Sequence, residues 1–121
     1  MKKILVIEDN QLVRDSIAEM LTVANYLVFT AENGRSGIAL ALQELPHLII
    51  CDIKMPEMDG YAVLQWLNNH TVLQHIPFIF VTGDSEEAGI RKAMEMGADD
   101  YITKPFQRDE LLKVIKNRIK W

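Results

Sequence analysis

The sequence predicts an α/β fold built on a doubly wound, five-stranded parallel sheet. Three observations predict it: short apolar, β-branched runs recur five times, helix-periodic segments alternate with them strictly, and the central runs are apolar at every position rather than every second one. Alternation implies parallel strands joined by right-handed crossovers. Runs such as LIIC (48–51) and FIFV (78–81) suit strands covered on both faces.

The first strand is expected over Ile4–Ile7. MKKILVIEDN opens like an export leader, but Glu8 and Asp9 end its apolar run at once. The stripe Leu12, Val13, Ile17, Met20, Leu21 and Ala24 predicts the first helix, and Tyr26–Ala31 the second strand. Ile38, Leu42 and Leu45 are expected on the buried face of the second helix, before a third strand at Leu48–Cys51. Asp59 can cap the third helix, which turns Val63, Leu64 and Leu67 inward. Residues 68–77, NNHTVLQHIP, read as a polar connection ending at Pro77. Phe78–Val81 is the fourth strand. Asp84 and Glu87 form a capping-box pattern for a fourth helix carrying Ile90, Ala93 and Met94 and ending at Gly97. Gly89 inside that helix costs roughly 1 kcal/mol relative to Ala, so the helix is expected to be labile. Asp100–Thr103 is the fifth strand. The fifth helix, lined by Leu111, Leu112, Ile115 and Ile119, is expected to run to Trp121. Gln107 makes its N-cap weak although Glu110 fits the box position, and Lys113, Lys116, Arg118 and Lys120 face solvent.

The chain has 121 residues, 49% apolar and 25% charged, which suits one globular domain spanning residues 1–121 with one core. A net charge of −4 argues against direct nucleic-acid binding or an anionic membrane surface, and no apolar stretch is long enough to span a bilayer. The single cysteine, Cys51, reads as an inert buried thiol in a reducing, cytoplasmic setting. His47, His70 and His75 lack ligand spacing or a neighbouring nucleophile, so neither catalysis nor metal binding is expected of them.

Polar groups concentrate where the chain leaves the sheet: Glu8 and Asp9 after strand one, Asp52 after strand three, Thr82 after strand four and Lys104 after strand five. Ligands of open parallel sheets sit at those ends. Taken singly, each residue could be a cap, a turn residue or a solvated charge. With a strand order such as 2-1-3-4-5, however, strands one and three are neighbours and the three carboxylates crowd into one crevice, a costly arrangement unless a cation joins them. Carboxylate oxygens without nearby His or Cys suit Mg²⁺, with Mn²⁺ as a substitute. Lys104 and Thr82 would add a point charge and a hydroxyl, the equipment for holding a tetrahedral anion.

Glu8-Asp9, DIKMPEMDG (52–60), VTG (81–83) and MGADDYITKPF (96–106) together resemble the receiver domain of two-component response regulators over essentially the whole chain. The resemblance implies the 2-1-3-4-5 order and a role for each residue. Asp52 would be the phosphoacceptor, taking a phosphoryl group from a sensor histidine kinase or histidine phosphotransfer protein. Glu8, Asp9, Asp52 and the backbone carbonyl of Lys54 would serve Mg²⁺, Glu8 through a coordinated water. Thr82 and Lys104 would bind the phosphoryl oxygens, and the Lys104-Pro105 peptide is a candidate cis bond. Thr82 and Tyr101 would form the switch, acting on an output domain or target protein through helix four, strand five and helix five, with a homodimer on phosphorylation as a further expectation. Lys54 and Asp84 would tune the lifetime of the phosphate.

Three other readings compete. A flavodoxin-like carrier would want hydroxyls and amides after strand one, where this chain has acids. An aspartyl-nucleophile, Mg²⁺-dependent phosphohydrolase generally carries a second acid two residues after the nucleophile, where Lys54 stands. A pseudo-receiver that binds partners without phosphorylation would have no use for the complete Glu8, Asp9, Asp52, Thr82 and Lys104 set.

Overall fold

The computed structural model describes residues 1–83 and 87–119. Asp84, Lys120 and Trp121, singled out in the sequence, lie outside the described residues, as does the pairing of Asp84 with Glu87. The elements run β1 (Lys3–Ile7), α1 (Gln11–Val23), β2 (Leu27–Ala31), α2 (Gly34–Glu44), β3 (Leu48–Cys51), α3 (Gly60–Asn68), a 3₁₀ turn (Leu73–His75), β4 (Phe78–Thr82), α4 (Glu87–Glu95), β5 (Asp100–Thr103) and α5 (Arg108–Arg118). All neighbouring strands are parallel, in the order β2-β1-β3-β4-β5, as expected.

Strand alternation divides the core between the two faces. Leu5, Ile7, Ile49, Cys51, Phe78 and Phe80 meet α2, α3 and α4, whereas Ile4, Val6, Leu48, Ile50, Ile79 and Val81 meet α1 and α5. Because both faces are covered, every residue of β3 and β4 is buried, which is why those strands read as unbroken apolar runs.

Several expected core positions are corrected. Leu12 and Met94 are exposed despite lying on apolar stripes. On α2 the buried face is Gly34, Gly37, Ile38 and Ala41, while Leu42 and Leu45 are exposed. A Cβ on Gly37 would collide with the Ile7 side chain, so this helix approaches β1 through small residues. Leu45 is the C-cap in the left-handed region (φ 47°), because Pro46 disfavours a helical residue before it. The connection at 68–77 is more ordered than its polarity suggests, since its 3₁₀ turn buries Leu73. Helix α5 ends at Arg118, with Ile119 already extended, instead of continuing to Trp121.

The caps follow their expected chemistry. Asn10 accepts from the Val13 amide, Asn33 from Ser36 and Asp59 from Ala62, while Gln107 makes no side-chain cap bond. Gly97 takes φ 102° after α4. Ala93 is buried, but among the described residues of α4 it alone is. The helix is also tied to α3 near both ends. At one, the Tyr61 hydroxyl donates to the Gly89 carbonyl at 3.4 Å and the Lys92 ammonium lies 4.3 Å from the Tyr61 ring centroid. At the other, the Asn68 amide donates to the Met96 carbonyl at 2.8 Å.

Candidate phosphoacceptor site

The sheet register brings the polar strand ends together. Ile7 pairs with Ala31 on one side and Cys51 on the other, so the next residues, Glu8 and Asp52, leave adjacent strands side by side. Backbone bonds continue the sheet by one step: the Glu8 amide donates to the Ala31 carbonyl and the Asp52 amide to the Ile7 carbonyl, each at 3.0 Å. Thr82 pairs with Thr103, and the Lys104 amide donates to the Thr82 carbonyl at 2.8 Å. The polar groups are thus mounted on rigid strand ends.

Glu8, Asp9 and Asp52 each present a carboxylate oxygen, all within 4.8 Å of one another. Glu8 and Asp52 are buried and Asp9 is exposed, so the cluster opens to solvent on the Asp9 side. Lys104 Nζ lies 2.6 Å from Glu8 Oε1 and 3.5 Å from Asp52 Oδ2, bridging the two buried acids. The other Glu8 oxygen accepts from the Asn10 amide at 3.1 Å, and Asp52 Oδ1 accepts from the Ile53 amide at 2.8 Å. Burial pushes the Glu8 carboxyl above its ordinary range, the Lys104 ammonium and the Asn10 amide opposing and the Asp52 charge adding to the rise. Two buried acids and an exposed third, answered by one ammonium, form a donor set of hard oxygens that fits Mg²⁺ or Mn²⁺.

The remaining predicted residues surround this cluster. Thr82 is buried at the end of β4. Lys54 is exposed, two residues out along the β3–α3 loop. Tyr101 is half-buried beside β4, paired with Phe80 and packed on the core face that meets α2, α3 and α4. The Lys104-Pro105 peptide is cis. Cys51, wholly buried, is pushed well up by burial and then by the charges of Asp52, Glu8 and Asp59, so it remains a thiol. An apolar groove of about 440 Å³ opens beside Lys104, lined by Leu12, Ile17, Met20, Pro105 and Phe106 among others.

Two structural supports escaped sequence reasoning. Gly60 opens α3 so close to the end of β3 that a Cβ would collide with the Asp52 carbonyl, and its amide donates to the Ile53 carbonyl at 2.8 Å. Arg14 bends back from α1 onto the loop carrying Glu8 and Asp9. Its only signal in the sequence is a cation one helical turn beyond the Asn10 cap.

A family model described as the response regulator receiver domain matches residues 4–116. The probable transcriptional regulator ycf27 of Porphyra purpurea is 37% identical over 110 residues, covering 91% of this chain and 44% of that protein. This chain therefore spans less than half the length of that curated relative. Among solved structures, the chemotaxis protein CheY4 of Vibrio cholerae superposes with a TM-score of 0.93 at 27% identity, covering 98% of this chain and 99% of that one. The receiver domain of sensor histidine kinase PA1611 from Pseudomonas aeruginosa PAO1 gives 0.89 at 27% identity, covering 97% and 96%, and was solved with a magnesium ion coordinated in its active site cleft.

Proposed function

Because the chain belongs to the response regulator receiver domain family, we propose that residues 1–121 act as one phosphorylation-driven switch with Asp52 as its phosphoacceptor. The observation that carries this reading is the Asp52 carboxylate, buried at a strand end beside Glu8 and Asp9 and bridged by Lys104 to Glu8.

A carboxylate oxygen of Asp52 attacks phosphorus. The new P–O bond forms as the P–N bond of a phosphohistidine breaks, and the bond's electron pair leaves with the imidazole nitrogen. Glu8, Asp9 and Asp52, with the Lys54 carbonyl, would hold Mg²⁺ or Mn²⁺, Glu8 through a water; when bound, the ion supplies positive charge to the phosphoryl oxygens. Lys104 turns part of its charge from Glu8 and Asp52 toward the transferred group, and the Thr82 hydroxyl donates to it. A donor protein must bring its phosphohistidine within bonding distance of Asp52, and the apolar groove beside Lys104 gives it a surface to meet there. Sensor histidine kinases and histidine phosphotransfer proteins are the donors we assign.

Drawing Thr82 toward the phosphate leaves space into which Tyr101 turns, so the face formed by α4, β5 and α5 changes shape. That face would then engage an output domain, a target protein or a second copy of the chain. In a protein organised like ycf27, the output would reside in the part of the chain that this sequence does not span. Lys54, with Asp84, would gate the water that hydrolyses the aspartyl phosphate, so Lys54→Ala should change the dephosphorylation rate. The setting we assign is the cytoplasm; among the described residues, no helix is long and apolar enough to cross a membrane.

Incubation with acetyl phosphate and Mg²⁺, followed by intact mass measurement, should give one base-labile phosphoryl adduct. Its absence in the unmodified chain, or its persistence in Asp52→Asn, would overturn the reading. Many turnovers of phosphate ester per chain would point instead to the phosphohydrolase.

A further inference from the structure

The loop that presents Glu8 and Asp9 is held almost entirely through its backbone. The Glu8 amide is fixed by Ala31, the Asn10 amide by Glu8's own carboxylate, and the Asn10 carbonyl accepts from the Arg14 amide at 2.9 Å. The circuit also includes the carbonyls of Glu8 and Asp9. Arg14 takes both: its Nη1 donates to the Glu8 carbonyl at 2.8 Å and reaches the Asp9 carbonyl at 3.5 Å.

The arrangement matters most for Asp9. Glu8 is steered by Lys104 and by the Asn10 amide, and Asp52 by Lys104 and the Ile53 amide. Asp9 is exposed, so the direction of its carboxylate depends on the orientation of its own backbone. Carbonyls pinned on either side of the Asp9 Cα fix that orientation. One guanidinium nitrogen, Nη1, carries both contacts, so a single side chain ties the two carbonyls together.

We propose that Arg14 is a positioning residue for divalent-cation binding, strapping the Glu8-Asp9 segment so that the Asp9 carboxylate is held ready beside Asp52. The proposal rests on reading the three acids as a cation site. It makes a prediction of definite sign. By Coulomb's law alone, deleting a cation near an acidic cluster strengthens binding of another cation. Loss of a strap weakens it, because the ligand set must then be ordered when the ion binds.

Mg²⁺ binding by the full chain is measured by titration calorimetry, and Mn²⁺ binding by the loss of the free-ion paramagnetic resonance signal, for the unmodified protein, Arg14→Gln, Arg14→Lys and Asp9→Asn. Arg14→Gln is expected to weaken both ions by about tenfold, within the range for residues that orient metal ligands. Arg14→Lys, which keeps the charge but replaces the guanidinium that reaches both carbonyls, should also weaken binding, by less. Denaturant midpoints taken alongside show that each variant is folded. Unchanged or tighter binding by folded Arg14→Gln overturns the proposal while leaving the cation site intact. Failure of the unmodified chain to bind either ion, or binding untouched by Asp9→Asn, overturns the site and the proposal together.

Discussion

Replacing Lys104 by methionine should leave Glu8 buried with its main cation gone, and the cost should depend on pH in a definite sense. At an effective dielectric of about 20, unit charges at the Lys104–Glu8 separation of 2.6 Å attract by about 6 kcal/mol. Much of that offsets the desolvation of two groups, Glu8 at 2% and Lys104 at 23% side-chain exposure. Removing one partner of such a pair costs about 3 to 5 kcal/mol. The lower figure applies here, because Glu8 can take up a proton once Lys104 is absent. Burial already raises the Glu8 carboxyl in the native protein, so its contribution to stability is fullest below the unfolded carboxylate range and is lost as pH rises through the folded value. Without the ammonium, that loss deepens. Urea unfolding of metal-free protein should therefore show Lys104→Met less stable by about 3 kcal/mol near about pH 7.5, and by only about 1 kcal/mol near about pH 4, because the raised Glu8 carboxyl needs the ammonium less as pH falls. Adding Glu8→Gln to Lys104→Met should recover most of the loss at the higher pH. An equal deficit at both pH values, or a double variant as unstable as Lys104→Met alone, would refute the electrostatic reasoning.

Three further outcomes are expected. Gly60→Ala should destabilise the chain by about 2 kcal/mol in denaturant unfolding, because the added methyl meets the Asp52 carbonyl and, at 2.9 Å, both Ile53 Cα and a ring carbon of Phe80. The His47 imidazole, lowered first by burial and then by the charges of Lys2, Lys3 and the N-terminus, accepts the Lys3 amide at 2.9 Å. Its contribution to stability is present above the ordinary imidazole value of about 6.5 and is lost as pH falls through the folded value, so its NMR titration midpoint should lie below about 6.5. Hydrogen exchange should be faster in α4 than in α3, which buries Gly60, Val63, Leu64 and Leu67, and Tyr61→Phe should speed α4 further.

The fold was legible because each strand is apolar on both faces and each turn carries its own chemistry. The candidate site was legible for a related reason: in a sheet covered on both sides, an ionisable residue becomes conspicuous where it follows an apolar run, as Asp52 follows Leu48–Cys51. The misreading of α2 has a clear origin. Periodicity weights large apolar side chains, but α2 meets β1 through Gly37 and Ala41, which leave little hydrophobic signal, while Leu42 and Leu45 carry a strong one and face outward. Arg14 leaves little trace in the sequence because its partners are carbonyls, and backbone acceptors have no letter in a sequence. The same holds for Gly60, whose role depends on a carbonyl brought near by folding.

The two ties between α3 and α4 set an energy scale for the proposed output face. A helix glued along a broad apolar stripe moves only by giving up many contacts at once, whereas α4 is moored near its ends by Tyr61 and Asn68, with Ala93 buried between. Each neutral mooring bond contributes about 0.5 to 1.5 kcal/mol net. Slipping one changes the balance between two placements of α4 by a few-fold to about tenfold, an amount that a single chemical event at a distance can supply. The helix is thus held firmly enough to present a defined surface and loosely enough for that surface to be exchanged.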